Sequence, residues 1–102
     1  MEPPFVIQVL SRVDGAKTIH DGKYVKEYNP NTNFGKLMLV TTTDPDDAKQ
    51  FQTPFALHDF LHQVSRKQPR RPDGKPNKPI WILNTSISNV ADARKEANKK
   101  VH

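Results

Sequence analysis

Apolar and polar positions alternate in several short runs of this chain and recur at helical spacing in one. In Phe5–Leu10, Phe5, Ile7 and Val9 fall on one side and Gln8 on the other, a β-type pattern that Pro3 and Pro4 keep from extending backward. Lys23–Tyr28 (KYVKEY) also alternates, placing Tyr24 and Tyr28 on a shared face around Lys26. Lys36–Thr43 (KLMLVTTT) is apolar at both parities and then β-branched, which predicts a central strand. Pro79–Ile87 (PIWILNTSI) predicts the last strand. Its longer apolar face, Trp81, Leu83, Thr85 and Ile87, is expected inward in preference to Ile80 and Ile82. Asp14-Gly15, Asp21-Gly22 and the cluster from Asn29-Pro30-Asn31 to Gly35 mark turns, so the first three strands read as an antiparallel meander.

Thr43–Lys67 contains two copies of one helix-start signal, Asp44-Pro45 and Thr53-Pro54: an acceptor side chain at the N-cap, then a proline that needs no amide partner. The first copy predicts a short helix over Pro45–Phe51, with Asp46 and Asp47 in its opening turn and Ala48 and Phe51 inward. The second predicts a longer helix from Pro54 to about Lys67. Leu57, Phe60, Leu61 and Val64 form its apolar stripe, and Arg66 and Lys67 its cationic end. The expected fold is therefore α+β: a small antiparallel sheet of about four strands, in the order β-β-β-α-α-β, with one main amphipathic helix on one face. After Asn89 only Val90, Ala93, Ala97 and Val101 make a thin stripe. Residues 1–88 are thus expected as one domain and 89–102 as a basic tail, a frayed helix or disorder.

Composition narrows the function classes. At 102 residues and 34% hydrophobic content the chain allows one domain with a modest core. Without cysteine, disulfide scaffolds and thiol chemistry are excluded. The start MEPPFVIQVL lacks the basic region and apolar run of a signal peptide, and no segment has the length of a membrane span, so a cytoplasmic protein without a membrane partner is expected. The net charge of +5 is unevenly placed. Arg66, Lys67, Arg70, Arg71, Lys75 and Lys78 face Asp73 alone, and the tail adds a smaller surplus, so the remainder is slightly acidic.

Candidate chemistry is sparse. His58 and His62 have the i, i+4 spacing of two metal ligands on a helix, but a third and fourth would have to come from His20, Asp21 or Asp59, and two half-exposed histidines flanking an apolar stripe explain the pair as well. Asp44, Asp46 and Asp47 suggest Mg²⁺ or a general base, yet the helix start already accounts for them. No nucleophile elbow or glycine-rich phosphate loop is present, so neither an enzyme nor a cofactor is expected. What remains is the proline-rich segment QPRRPDGKPNKP, read as an extended arm with a turn at Pro72-Asp73-Gly74. Its four cations, Arg70, Arg71, Lys75 and Lys78, and Arg66 and Lys67 just before it are the candidate nucleic-acid-binding residues, and Tyr24, Tyr28 and Trp81 are candidate stacking surfaces. A solvated connector kept soluble by charge is the structural alternative.

Three segments also carry a resemblance: GKYVKEYNP (Gly22–Pro30), TTDPDDAKQF (Thr42–Phe51) and RPDGKPNKPI (Arg71–Ile80). Together they resemble a group of small uncharacterised proteins encoded by bacteriophages and prophages, with a T-D-D-P-x-x-A-x-x-F element before a helix and an R-P-D-G-x-P-N-R-P element before the last strand. The resemblance spans residues 5–87 and implies a bacterial host cytoplasm, but it brings no activity and no site residue. The functional expectation is a non-enzymatic accessory module whose arm, residues 66–78, engages nucleic acid or a nucleic-acid-handling complex. The alternatives are a protein-binding accessory, such as an inhibitor of a host defence factor acting through the sheet face or edge, and a small component of a phage particle. The sequence leaves the oligomeric state open.

Overall fold

The computed structural model describes residues 2–31 and 37–100, with side chains as far as Glu96. Its strands are β1 (Phe5–Arg12), β2 (Tyr24–Asn29), β3 (Met38–Thr42) and β4 (Leu83–Asn89); its helices are α1 (Pro54–Leu61) and α2 (Val90–Lys100). The strands form one antiparallel sheet in the order β3-β2-β1-β4, so the fold is α+β. The turn expected through Gly35, the strand start at Lys36, Val101 and the side chain of Ala97 lie outside the described residues.

The sheet buries both faces, and the alternation in β1 shows how. Phe5, Ile7 and Val9 enter one core with Val25, Phe51, Leu57, Phe60, Ile80 and Leu83. Val6 points the other way into a smaller core with Tyr24, Ala48, Val90 and Ala93. The segment from residue 89, read from sequence as tail, thus begins with a helical turn that packs beneath the sheet.

The predicted short helix at Pro45–Phe51 is a single turn followed by extended chain. Asp47 N–H bonds to Asp44 O at 3.0 Å, but Lys49 N–H then donates to Val25 O at 3.0 Å, and Phe5 and Phe51 exchange backbone bonds of 2.7 and 2.9 Å. The sheet takes the amides that a helix would have used, and the chain enters beside β1, where β2 pairs only at Gln8–Tyr24. Asp44, Asp46 and Asp47 accordingly serve a turn and its ion pairs. Asp44 Oδ1 accepts from Asp46 N–H at 2.9 Å, Asp47 pairs with Lys26 at 3.1 Å, and Asp46 pairs with Arg94 of α2.

Helix α1 starts as predicted, with Thr53 Oγ1 accepting from Ala56 N–H at 3.1 Å and proline in the first turn. It stops at Leu61, six residues before Lys67. Continued toward Lys67, the helix would join Ser65 N–H to Leu61 O. Instead Ser65 N–H donates to Asn77 O at 2.9 Å, and Leu61 O accepts from Trp81 Nε1 at 2.9 Å. Val64 is consequently exposed, and Arg66 and Lys67 close no helix.

Three strand expectations change as well. β3 is an edge strand, with Met38 and Val40 exposed. A bulge between Val25 and Glu27 inverts the parity of β2, which puts Tyr24 and Tyr28 on opposite faces. Pro79–Ile82 forms a 3-10 turn ahead of β4, so Ile80 is buried and Trp81 is 53% exposed. Leu83, Thr85 and Ile87 do take the α1 side, opposite Arg12, Val9 and Ile7, yet the short helix leaves Ile87 41% exposed.

Phe51, buried against Phe60 at a ring distance of 5.0 Å, therefore anchors the inserted segment. Phe51→Ala is expected to cost about 3–5 kcal/mol in urea unfolding. Phe55→Ala, at a site 82% exposed, should stay within about 0.5 kcal/mol of wild type.

Candidate functional site

The basic arm is an ordered hairpin. Its two legs are joined by Ser65 N–H to Asn77 O (2.9 Å), Asn77 N–H to Pro69 O (3.0 Å) and Arg71 N–H to Lys75 O (2.8 Å). At the tip, Gly74 adopts φ +85° and its N–H donates to Arg71 O at 2.9 Å, while Asp73 Oδ1 accepts from Lys75 N–H at 3.0 Å. At the base Ser65 is fully buried and its Oγ accepts from Gln68 N–H, while Asn77 Nδ2 donates to Gln68 O. Asn31 Oδ1 receives Arg66 N–H at 2.7 Å, tying the hairpin to the loop after β2. The four prolines supply stiffness without ladder amides, so the expected extended arm is a hairpin held at tip and base.

The cations differ in what they already touch. Arg71 pairs with Asp73 at 3.1 Å, and Arg70 Nη1 donates to Gly74 O at 3.0 Å, which leaves its charge uncompensated. Arg66, Lys67 and Lys75 are exposed and pair with no carboxylate among the described residues. Lys78 points back to the body of the protein, its Nζ 4.2 Å from the Trp81 ring centre and 3.1 Å from His62 Nδ1.

The three candidate stacking residues do not converge. Tyr24 is buried with Ala48 and Val90, and burial, then the Glu96 charge, raises its hydroxyl pKa. Tyr28 packs edge-on against Phe60, and its oxygen accepts Ile80 N–H at 3.1 Å. Burial raises its pKa against the opposing effect of that bond. Both serve the core. Trp81 alone presents a ring to solvent, pinned by its bond to Leu61 O.

Around Trp81 the structure gathers groups that sequence spacing does not connect. His58 and His62 stack at 3.9 Å, and His62 meets Trp81 edge-on at 5.1 Å. Among the described residues no three His, Asp or Glu side chains converge to hold a metal. A pocket of about 370 Å³ lies between the hairpin's return leg and the 3-10 turn, with Arg71, Asn77, Lys78, Trp81 and Ile82 in its walls. An apolar groove of about 440 Å³ runs between α1 and β4 over Phe5, Leu57, Leu61 and Ile87. The 3-10 turn brings Trp81 back against Lys78 at the end of the hairpin, and Pro79 is its local signal. No helix is long and apolar enough to cross a membrane among the described residues. Comparison with family models, curated proteins and solved structures finds no match to this chain.

The His62 pKa is lowered by lost hydration first, then by the His58 and Lys78 charges. A neutral ring can accept from Lys78 Nζ. Because the folded value lies below the unfolded one, the associated stability is complete above about pH 6.5 and is lost as pH falls through the folded value. Trp81, the single tryptophan, should report this as an emission change on acidification from pH 7 to 5. His62→Gln should flatten that titration.

Proposed function

We propose that this protein is a non-enzymatic binding module that engages nucleic acid, or a nucleic-acid-handling complex, through the hairpin of residues 66–78. The observation that carries this reading is the exposure of Arg66, Lys67, Arg70 and Lys75, without a carboxylate partner, on a hairpin closed at both ends. Preorganised cations lose less freedom on binding than the same charges on a loose arm. Phosphate groups are their natural ligands, since guanidinium and ammonium groups supply donors and charge with no dependence on base sequence. The phage-type resemblance suggests a bacterial host cytoplasm as the setting.

A second reading, a protein-binding accessory of the host-inhibitor kind, is supported by β4. This edge strand has free backbone groups on its outer side and no charged side chain, and the groove beside Ile87 could take the residues of an added strand. The opposite sheet face is less available, because α2 and the turn at Ala48 cover part of it.

Binding to labelled single- and double-stranded DNA and RNA across a salt series tests the first reading. Four phosphate contacts give a log–log slope of about −3.6 on duplex DNA and about −2.8 on single strands. Replacing Arg66, Lys67, Arg70 and Lys75 by Ala should abolish binding at moderate salt while leaving the unfolding midpoint near wild type. Wild-type affinity in that variant, or no binding at low salt, would reject the hairpin as the interface and move attention to β4.

A further inference from the structure

We propose that the pocket between the hairpin and the 3-10 turn receives one unpaired base of a single strand, whose phosphates lie along the hairpin. This rests on the nucleic-acid reading and adds the class of strand and the place where a base is held. The walls suit a nucleotide. Trp81, Ile82 and Val13 give an apolar lining of about the right extent for one planar ring, while Arg71, Lys78 and Asn77 bring two cations and an amide to the same space. Trp81 is held in place by its Nε1 bond to Leu61 O, so its ring is a fixed surface. Lys78 Nζ, held by His62, sets a positive charge over one face of that ring, 4.2 Å from its centre. Asn77 Nδ2 is spent on Gln68 O, which leaves its Oδ1 as an acceptor for an exocyclic amine or a ring N–H.

Arg71 connects this pocket to the exposed charges. Its backbone belongs to the hairpin ladder, and its guanidinium pairs with an exposed Asp73 at 3.1 Å that a phosphate could displace. A strand entering along Arg70 and Lys75 would reach the pocket at Arg71, which lines it. A duplex keeps its bases stacked and paired, so it could use the cations but not the pocket. Free nucleotide shares the chemistry of base and phosphate but lacks the neighbouring phosphates that the other cations would hold.

Trp81 makes the test direct, because it is the chain's one tryptophan and lies in the pocket wall. The full chain would be titrated at low salt with a thymidine oligonucleotide, a mixed-sequence duplex of equal length and thymidine monophosphate, following Trp81 emission and, separately, the anisotropy of labelled strands. The expectation is quenching by the single strand and little by the duplex, with the monophosphate quenching only at far higher concentration. Trp81→Ala should weaken single-strand binding roughly tenfold to a hundredfold, the range of one lost base–aromatic stack, and leave duplex binding within about twofold. Trp81→Phe, which keeps a ring, should recover most of the single-strand affinity and thereby separates a stacking role from a folding role. Single-strand binding without quenching, or equal losses on both strand types in Trp81→Ala, would overturn the pocket assignment while the hairpin reading stands. A monophosphate bound as tightly as the oligonucleotide would overturn the strand in favour of free nucleotide. Binding of neither strand would overturn the pocket together with the hairpin.

Discussion

The reciprocal backbone pairing of Phe5 with Phe51 is the constraint on which most of this structure depends. It draws the chain after β3 back across the sheet and seats it beside β1. From that position Ala48 reaches one core and Phe51 the other. Thr53 then starts α1 at the place where Leu57 and Phe60 can cover the sheet. The same insertion brings Asp46 to Arg94. That pairing lowers the Asp46 pKa, chiefly through the side-chain hydrogen bond, and ties α2 to the turn. The two bonds of this pair are individually ordinary; their effect comes from where they put an aromatic residue.

The basic hairpin is positioned by a related device. Ser65 is buried with its amide on Asn77 and its hydroxyl under Gln68, so the base of the hairpin belongs to the folded body. Its tip is closed by Asp73 and Gly74, which supply the Asx acceptor and the positive φ that the turn requires. Cations between two fixed ends present a patterned charge, whereas the same residues on a loose loop would present only an average one. Trp81 meets this hairpin because Pro79–Ile82 coils before the last strand begins. The coil buries Ile80, turns the indole outward and sets Lys78 against it.

The two helices read too long from sequence fail for one reason. Local signals at Asp44-Pro45 and Thr53-Pro54 mark where a helix can start, and Thr53 does cap one. A helix continues only while its own carbonyls are the best acceptors for its amides. At Lys49 and Phe51 the sheet supplied better ones, and at Ser65 it was Asn77. Partners tens of residues away have no signature in the local pattern. The bulge in β2 is of the same kind: regular alternation puts Tyr24 and Tyr28 together, and one extra residue opposite β3 separates them.

By itself, therefore, the sequence determined the fold class, the strand segments at their cores, the turns at Gly15, Gly22 and Gly74, the start of α1 and the concentration of charge in residues 66–78. These follow from side-chain pattern, backbone preference and charge, which act over a few residues. Tertiary structure decided that β3 lies at an edge, that α1 ends at Leu61, that the arm is a closed hairpin, and that Trp81 rather than either tyrosine is the exposed ring beside it. Each of those outcomes turns on which distant group completes a backbone hydrogen bond or fills a face of the sheet, a competition that the assembled chain alone resolves.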